Sequence, residues 1–164
     1  MVFSDIHNAG SSDLEADATT HVNAQWYHIC IGVDTDASDK VLFYVDGTEE
    51  GNDGYTKVGD TEMFENGGEV SIGRSHVFAD DYISAKIADF IVVEGQQLAA
   101  TDFGYDNGGT WSWKDYAGSF GTHGFRVNPQ NSSQIGTDQS GNGYSFTLNN
   151  MDTSNFDGAD FPPT

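Results

Sequence analysis

Aspartate-rich turns carry the side chains of this sequence that are best suited to binding a metal ion. Asp34, Asp36 and Asp39 fall in one short turn, and Asp138 opens the segment DQSGNG beside Asn142. Carboxylates, together with backbone carbonyls, are the ligands that Ca²⁺ takes in loops of this kind. Asp and Asn also occupy turns for local hydrogen-bonding reasons, and no glutamate completes an EF-hand loop. Two interpretations therefore stay open: ordinary turns, or a calcium ion bound either near Asp34, Asp36 and Asp39 or near Asp138. No other cofactor is expected.

Aromatic residues are concentrated in the glycine-rich segment WSWKDYAGSFGTHGF, residues 111–125. Glycine permits tight bends and close backbone approach, while aromatic rings bury large areas. The segment can therefore act as a cover over the edge of a sheet. The same rings can also form a platform on which sugar rings stack. On the second interpretation, the candidate contacts with a glycan or a protein partner are Trp111, Trp113, Tyr116 and Phe120.

Catalytic motifs are missing from the sequence. Glycosidases need two carboxylates on either side of the scissile bond, but Asp89 and Glu94 flank FIVV at an odd spacing that points them to opposite faces of a strand. No G-x-S-x-G nucleophile motif occurs, and the five histidines show no pair at metal-ligand spacing. The dispersed histidines are His7, His21, His28, His76 and His123. We therefore expect a protein that is not an enzyme.

The charge of the chain restricts its partners. The 164 residues include 26 acidic and 6 basic ones, which gives a formal net charge of −20. Such a surface repels nucleic acid and anionic lipid, so we expect neither nucleic-acid binding nor membrane insertion. Cys30 is the single cysteine and lies in the apolar run WYHICIGV, which predicts a buried structural thiol. The residues after Met1 lack the basic start and apolar stretch of a secretory signal.

Alternating apolar residues predict a series of short strands. In residues 25–33, Tyr27 and the isoleucines at 29 and 31 share one face while His28 and Cys30 share the other. A second strand is predicted over 40–45, and the Asp46-Gly47 pair that follows is a strong hairpin signal. Further strands are predicted over 69–73, over the long apolar run 83–93 and over 144–148, with one helical turn at 96–100.

These elements predict an all-β protein, most simply an antiparallel β-sandwich, because no sustained helical period occurs and 20 glycines separate the strands. We predict three segments. Residues 1–24 form an N-terminal arm or edge strand, 25–100 form the sandwich strands, and 101–164 form a glycine- and aromatic-rich ribbon and tail packed on the sandwich.

The strand pattern resembles a known domain type. The run WYHICIGVDT, followed by VLFYVDG, EVSIG and ISAKIADFIVV, resembles the later strands of a laminin-G-like, concanavalin-A-type jelly roll. The second half, with EGQQLAATDFG, the 111–125 segment and IGTDQSGNG, resembles a block that follows such a domain in virion structural proteins of tailed bacteriophages, many of them marine. This second resemblance extends over residues 94–150.

The resemblance implies a non-enzymatic structural protein on the exterior of a phage virion, as a capsid decoration, a head fibre or a tail adhesion module. Its expected partners are other virion proteins, further copies of itself and a host-surface glycan. The alternative is a carbohydrate-binding lectin module, free or secreted. Only the polar segment 1–24 precedes the Trp26 strand, so the sandwich is compact, is completed by strand addition from another chain, or continues outside this sequence.

Overall fold

The computed structural model describes residues 2–3, 14–15, 25–34, 40–50, 70–73, 85–128 and 134–149. It divides into two compact units. The first contains Met1–Ile83 and Gln97–Tyr116, and the second contains Ser84–Gln96 and Ala117–Thr164. These units are groups of residues in mutual contact, and the predicted segments 1–24, 25–100 and 101–164 stay a prediction.

The first unit is built on a three-stranded antiparallel sheet. Its strands are β3 (Ile29–Asp34), β4 (Lys40–Val45) and β5 (Thr48–Glu50), in the order β3-β4-β5. Two shorter strands, β1 (Val2–Phe3) and β2 (Leu14–Glu15), pair with each other. The turn between β4 and β5 is formed by Asp46, with φ 48°, and Gly47, with φ 75°. Positive φ at both positions is the type I′ hairpin turn that Asp-Gly favours, so this prediction is confirmed.

Strand β3 is partly or fully buried on both faces, as the alternation predicts. On one face, Ile29 and Ile31 lie opposite Val45 and Phe43 of β4 and pack around them, with Phe43 only 2 % exposed. On the other face, Cys30 is buried, and a Cβ atom placed on Gly32 would lie 3.0 Å from the Leu98 carbonyl oxygen. The segment that begins at Gln97 therefore lies against this second face.

That covering segment ends in a small hairpin. A single 3₁₀ turn, Ala100–Asp102, leads into β7 (Gly104–Asp106), which pairs antiparallel with β8 (Trp111–Trp113). The indole of Trp111 lies directly against the Cα positions of Gly47 and Gly104, because a Cβ atom at either glycine would overlap the ring. Only glycine leaves room for the indole at these two places.

The second unit has its own apolar centre. Strand β6 (Phe90–Val92) pairs antiparallel with β9 (Phe125–Val127). Phe125 is 3 % exposed, and its ring stacks on Phe90 with the ring centroids 5.9 Å apart. Phe146 approaches the same ring to a centroid distance of 4.9 Å. Residues 134–149 thus pack onto the β6–β9 pair through aromatic contacts.

Several predicted strands are shorter or absent in the described residues. The run 83–93 forms a strand only at Phe90–Val92, where β9 provides a partner, and residues 70–73 form none. Residues 144–148 make one isolated bridge, Thr137↔Ser145. The helical turn predicted at 96–100 lies at Ala100–Asp102, and residues 25–28 precede β3 without joining it. Alternation identifies strand-forming sequence, but a strand also requires a neighbour with free backbone groups.

The described elements are otherwise those of an all-β protein. Every strand pairing is antiparallel, and the 3₁₀ turn is the one helical element among the described residues. Within the same residues, none of the helical structure has the length and apolarity needed to cross a membrane.

The contact between Gly47 and Trp111 gives a stability prediction. We expect Gly47→Ala to destabilise the protein more than Gly108→Ala, although both glycines have positive φ, 75° and 67°. Gly108 has nothing within 4 Å of a Cβ, so its replacement should cost only the backbone term of about 1–2 kcal/mol. At Gly47 the clash with the indole should add about 1–3 kcal/mol. Urea unfolding of both variants measures the difference, and equal losses would contradict the packing described.

The Cys30 thiol gives a second prediction. Burial, reinforced by the charge of Asp102, raises the pKa of Cys30 from 9.0 to about 11. Near neutral pH, the thiolate fraction should therefore be about a hundredfold lower than that of a free cysteine, before any steric protection. We expect negligible labelling of the native protein by a thiol reagent and fast labelling in urea. Rapid labelling of the native protein would show that the second face of β3 is open.

Candidate functional site

Trp111, the first of the predicted aromatic contacts, is held inside the first unit. Besides Gly47 and Gly104, its indole lies beside the imidazole of His28, with ring centroids 5.6 Å apart. The indole Nε1 and the His28 Nδ1 are both buried and make no hydrogen bond within the described part of the chain. A buried polar atom without a hydrogen-bond partner is uncommon. The contact between these two rings is therefore apolar except for the two buried nitrogen atoms.

His28 is positioned by the hairpin turn. Its backbone N–H donates to the Asp46 carboxylate at 2.8 Å, and the Asp46 N–H donates back to the His28 carbonyl at 2.8 Å. Burial lowers the pKa of the His28 imidazole, and the nearby Asp46 charge offsets part of this effect. The imidazole is therefore neutral at physiological pH, which suits its place beside the indole.

The other predicted aromatic contacts occupy different surroundings. The ring of Tyr116 is half-buried and lies 5.1 Å from that of Phe103, which is 6.4 Å from His28. Trp113 is half-buried and pairs with Gly104 across the β7–β8 hairpin. Phe120 belongs to the second unit, where its carbonyl accepts a hydrogen bond from the Glu94 N–H at 3.1 Å. The roles of Trp111, Trp113, Tyr116 and Phe120 as contacts for a glycan or partner stay a prediction.

The structure describes one candidate calcium ligand of the first turn, Asp34, and the separate candidate Asp138. Asp34 ends strand β3 opposite Lys40 in the first unit, and Asp138 belongs to the second unit. Asp36 and Asp39 lie outside the described residues. Over the ranges that the structure describes, no group of three or more His, Cys, Asp or Glu side chains is arranged to hold a metal ion.

Asp138 instead organises the loop that follows it. Its Oδ1 accepts hydrogen bonds from the N–H groups of Arg126 at 3.0 Å and Ser140 at 2.8 Å. Its Oδ2 accepts from the Ser140 hydroxyl at 2.8 Å and from the N–H groups of Gly143 and Tyr144 at 2.9 and 3.2 Å. Five donors thus converge on one carboxylate, in the manner of an extended Asx turn.

These hydrogen bonds govern the ionisation of Asp138. Burial alone would raise the pKa of the carboxyl, but the donors from Arg126, Ser140 and Tyr144 together hold the pKa below its ordinary value of 3.8. All five donors favour the charged form of the carboxyl group.

The two carboxylates at the ends of FIVV, those of Asp89 and Glu94, also accept hydrogen bonds from other residues of the chain. Asp89 accepts two hydrogen bonds from the Arg126 guanidinium, at 3.1 Å from Nε and 2.8 Å from a terminal nitrogen. Glu94 accepts from the N–H groups of Thr122 at 3.0 Å and His123 at 2.8 Å, and its other oxygen lies 2.8 Å from the His123 ring. The contacts from the His123 side chain and backbone lower the pKa of Glu94.

Sequence reasoning missed that these acids act as loop anchors. The available signal was an acidic residue near glycine-rich turns, where backbone N–H groups lack partners. Asp138 beside SGNG fits that signal, but the pattern cannot distinguish an acid that binds N–H groups from one that binds a metal ion.

The Asp138 loop gives a stability prediction. We expect Asp138→Asn to lower the free energy of unfolding by about 2 kcal/mol or more, because the amide group of Asn offers only one acceptor oxygen to five donors. The exposed Asp106, which accepts one hydrogen bond from Gly109 N–H at 2.6 Å, serves as a control. The Asp106→Asn variant should lose much less stability.

The same variant should change the acid sensitivity of the protein. Because the folded pKa of Asp138 lies below 3.8, its stabilisation is complete above that pH and is lost as the pH falls further. Asp138→Asn should lack this share of the pH dependence, and millimolar calcium should change the melting temperature of neither protein. Stabilisation of the wild type alone by calcium would instead favour the metal interpretation.

Comparison with known protein families places the first part of the chain. A laminin-G-type family model, described as the concanavalin A-like lectin/glucanases superfamily, matches residues 2–102. No curated protein and no solved structure gives a significant match to the chain. The matched residues include strands β1 to β6, and the antiparallel pairing agrees with the β-sandwich of this superfamily, which confirms the predicted fold class. A domain of this kind fits a carbohydrate-binding or adhesion-type module. Since the match spans more than half of the sequence, the chain belongs to the concanavalin A-like lectin/glucanases superfamily.

Proposed function

We propose that this chain is a non-enzymatic adhesion module on the exterior of a tailed-phage virion, as a capsid decoration, a head fibre or a tail component. The superfamily supports the adhesive or carbohydrate-binding part of this function. The phage part rests on the resemblance of residues 94–150 to a block of virion structural proteins. Most of that block, from residue 103 onward, lies beyond the family match.

The observation that carries the non-enzymatic part is the state of Asp89 and Glu94. A glycosidase needs one carboxyl group with a raised pKa as general acid and a second one free to act as base or nucleophile. Asp89 is paired with the Arg126 guanidinium, and the pKa of Glu94 is lowered. Both groups therefore favour the charged form, and their oxygens are directed at internal donors.

Assembly into a larger surface fits the sheets of the described residues. The sheet β3-β4-β5 has two outer strands, and the other described sheets have two strands each. Outer strands present backbone N–H and C=O groups that another chain can pair with. We propose contacts with further copies and with other virion proteins through such edges. Repetition on a particle would then convert weak individual contacts into strong attachment.

The alternative is a lectin module that is free or secreted, and the lectins of the same superfamily support it. Saturable sugar binding by the isolated monomer, with no association with particles, would favour the lectin. Hydrolysis of a glycan that is lost in Asp89→Asn or Glu94→Gln would contradict both proposals and favour a glucanase.

Gold-labelled antibody against the chain, applied to particles from a producing culture, tests the virion proposal. We expect gold on the exterior of intact particles, and the same antibody absorbed with purified protein should leave them unlabelled. Regular labelling of heads would identify a decoration protein or head fibre, and labelling of tails would identify an adhesion module. If labelling is absent and mass spectrometry finds no copy of the chain in gradient-purified particles, the virion proposal is wrong.

A further inference from the structure

The β7–β8 hairpin has two chemically different faces. Its strands pair as Gly104↔Trp113, Tyr105↔Ser112 and Asp106↔Trp111, and the Asn107 N–H donates to the Thr110 carbonyl at 2.8 Å. Directly opposed residues of an antiparallel pair share a face, and successive residues alternate. One face therefore carries both tryptophans. The other, which we call the Tyr105 face, carries Tyr105, Asn107, Thr110 and Ser112.

The Tyr105 face is exposed to solvent at Tyr105 and in the turn. Tyr105 is 46 % exposed, the largest value among the exposed large hydrophobic residues of the described chain, and Asn107 and Thr110 are exposed beside it. Ser112, opposite Tyr105 on the same face, is 4 % exposed, so this face is covered at Ser112 and exposed at Tyr105 and in the turn. In contrast, the Trp111 indole on the opposite face packs against Gly47 and Gly104.

We propose that the Tyr105 face binds a neutral pyranose unit of a glycan, an inference that rests on the adhesive, carbohydrate-binding function proposed above. An exposed aromatic ring offers its π-face to the C–H groups of a sugar ring. A carboxamide both donates and accepts hydrogen bonds, as a hydroxyl does. It can therefore accept a hydrogen bond from one sugar hydroxyl and donate one to another. Among the described residues, the side chains of Asn107 and Thr110 make no hydrogen bond and are free for such contacts.

The distribution of charge favours a neutral sugar over an anionic one at this face. Asp106 is the one charged residue from position 103 to 113, in a chain whose net charge is −20. Register places Asp106 on the tryptophan face, and its carboxylate accepts a hydrogen bond from Gly109. The Tyr105 face is thus an uncharged patch on a strongly acidic protein. The field of the whole chain would repel glycans rich in uronic or sialic acids, whereas a neutral glycan experiences no such repulsion.

The location of this face separates it from the family scaffold. The family match ends at residue 102, and the hairpin begins at Gly104. The proposed site therefore belongs to the part of the chain that follows the matched domain.

Titration calorimetry of the full chain tests the proposal. The probes are gluco-, manno- and galacto-configured neutral hexaoses, with oligogalacturonate as an anionic comparison. We expect at least one neutral hexaose to bind and the galacturonate to fail. Tyr105→Ala should weaken that binding about tenfold or more, since the stacking contact is lost. Tyr144→Ala removes another exposed tyrosine, 38 % exposed in the second unit, and should leave the affinity unchanged.

A second variant tests the site in case Tyr105→Ala weakens binding only by disturbing the fold. The double variant Asn107→Ala/Thr110→Ala changes only exposed turn side chains, and it should weaken binding severalfold while the melting temperature stays near that of the wild type. Unchanged affinity in both variants, with the wild type binding, would overturn the Tyr105 site and leave a sugar-binding function at another surface. Failure of the wild type to bind any probe would overturn the sugar-binding function itself, and this site with it.

Discussion

Hydrogen bonds from backbone N–H groups to carboxylates hold the described loops in place. The chain has 26 acidic and 6 basic residues, so most of its acids cannot pair with a cation. N–H groups at turns need acceptors because the turn leaves them outside the sheet ladders. The excess acids meet this need, since single carboxylates accept hydrogen bonds from N–H groups in bends or in extended residues outside the strands. The acids that act in this way are Asp46, Glu94, Asp102, Asp106 and Asp138.

A second constraint is that two positions beside the Trp111 indole must lack a side chain. The Trp111 indole fits only because Gly47 and Gly104 lack a Cβ, and Gly47 is also the residue that the type I′ turn requires. Gly47 thus satisfies both the backbone conformation of the turn and the close packing of a residue that is distant in sequence. Agreement between local and tertiary requirements is what allows a sequence to specify one structure. The Asp46-Gly47 turn therefore fixes both the β4–β5 hairpin and the position of the indole.

Those parts of the fold that depend on neighbouring residues could be predicted, and those that depend on distant partners could not. Strand β4 and its turn follow from alternation and from the Asp-Gly pair, which are local properties. Strand β6 is only three residues of a longer apolar run, because its partner β9, which lies far along the chain, offers three residues for pairing. In the candidate site, the size of its side chain made Trp111 a predicted glycan contact, whereas Tyr105 was not predicted. The segment YDNGGT resembles an ordinary turn until the strand register assigns each side chain to a face.

The two roles of charge explain how a strongly acidic chain can present a neutral binding face. The Asp138 carboxylate accepts short hydrogen bonds from the backbone N–H groups of Arg126 and Ser140, and such partly buried contacts are screened little by salt. Repulsion among the remaining acids acts over longer distances and weakens as ionic strength rises. A salty medium would therefore relieve the repulsion while leaving the loop anchors intact. A neutral sugar on the Tyr105 face would be held by stacking and hydrogen bonds alone, so its affinity would be independent of the salt that favours the fold.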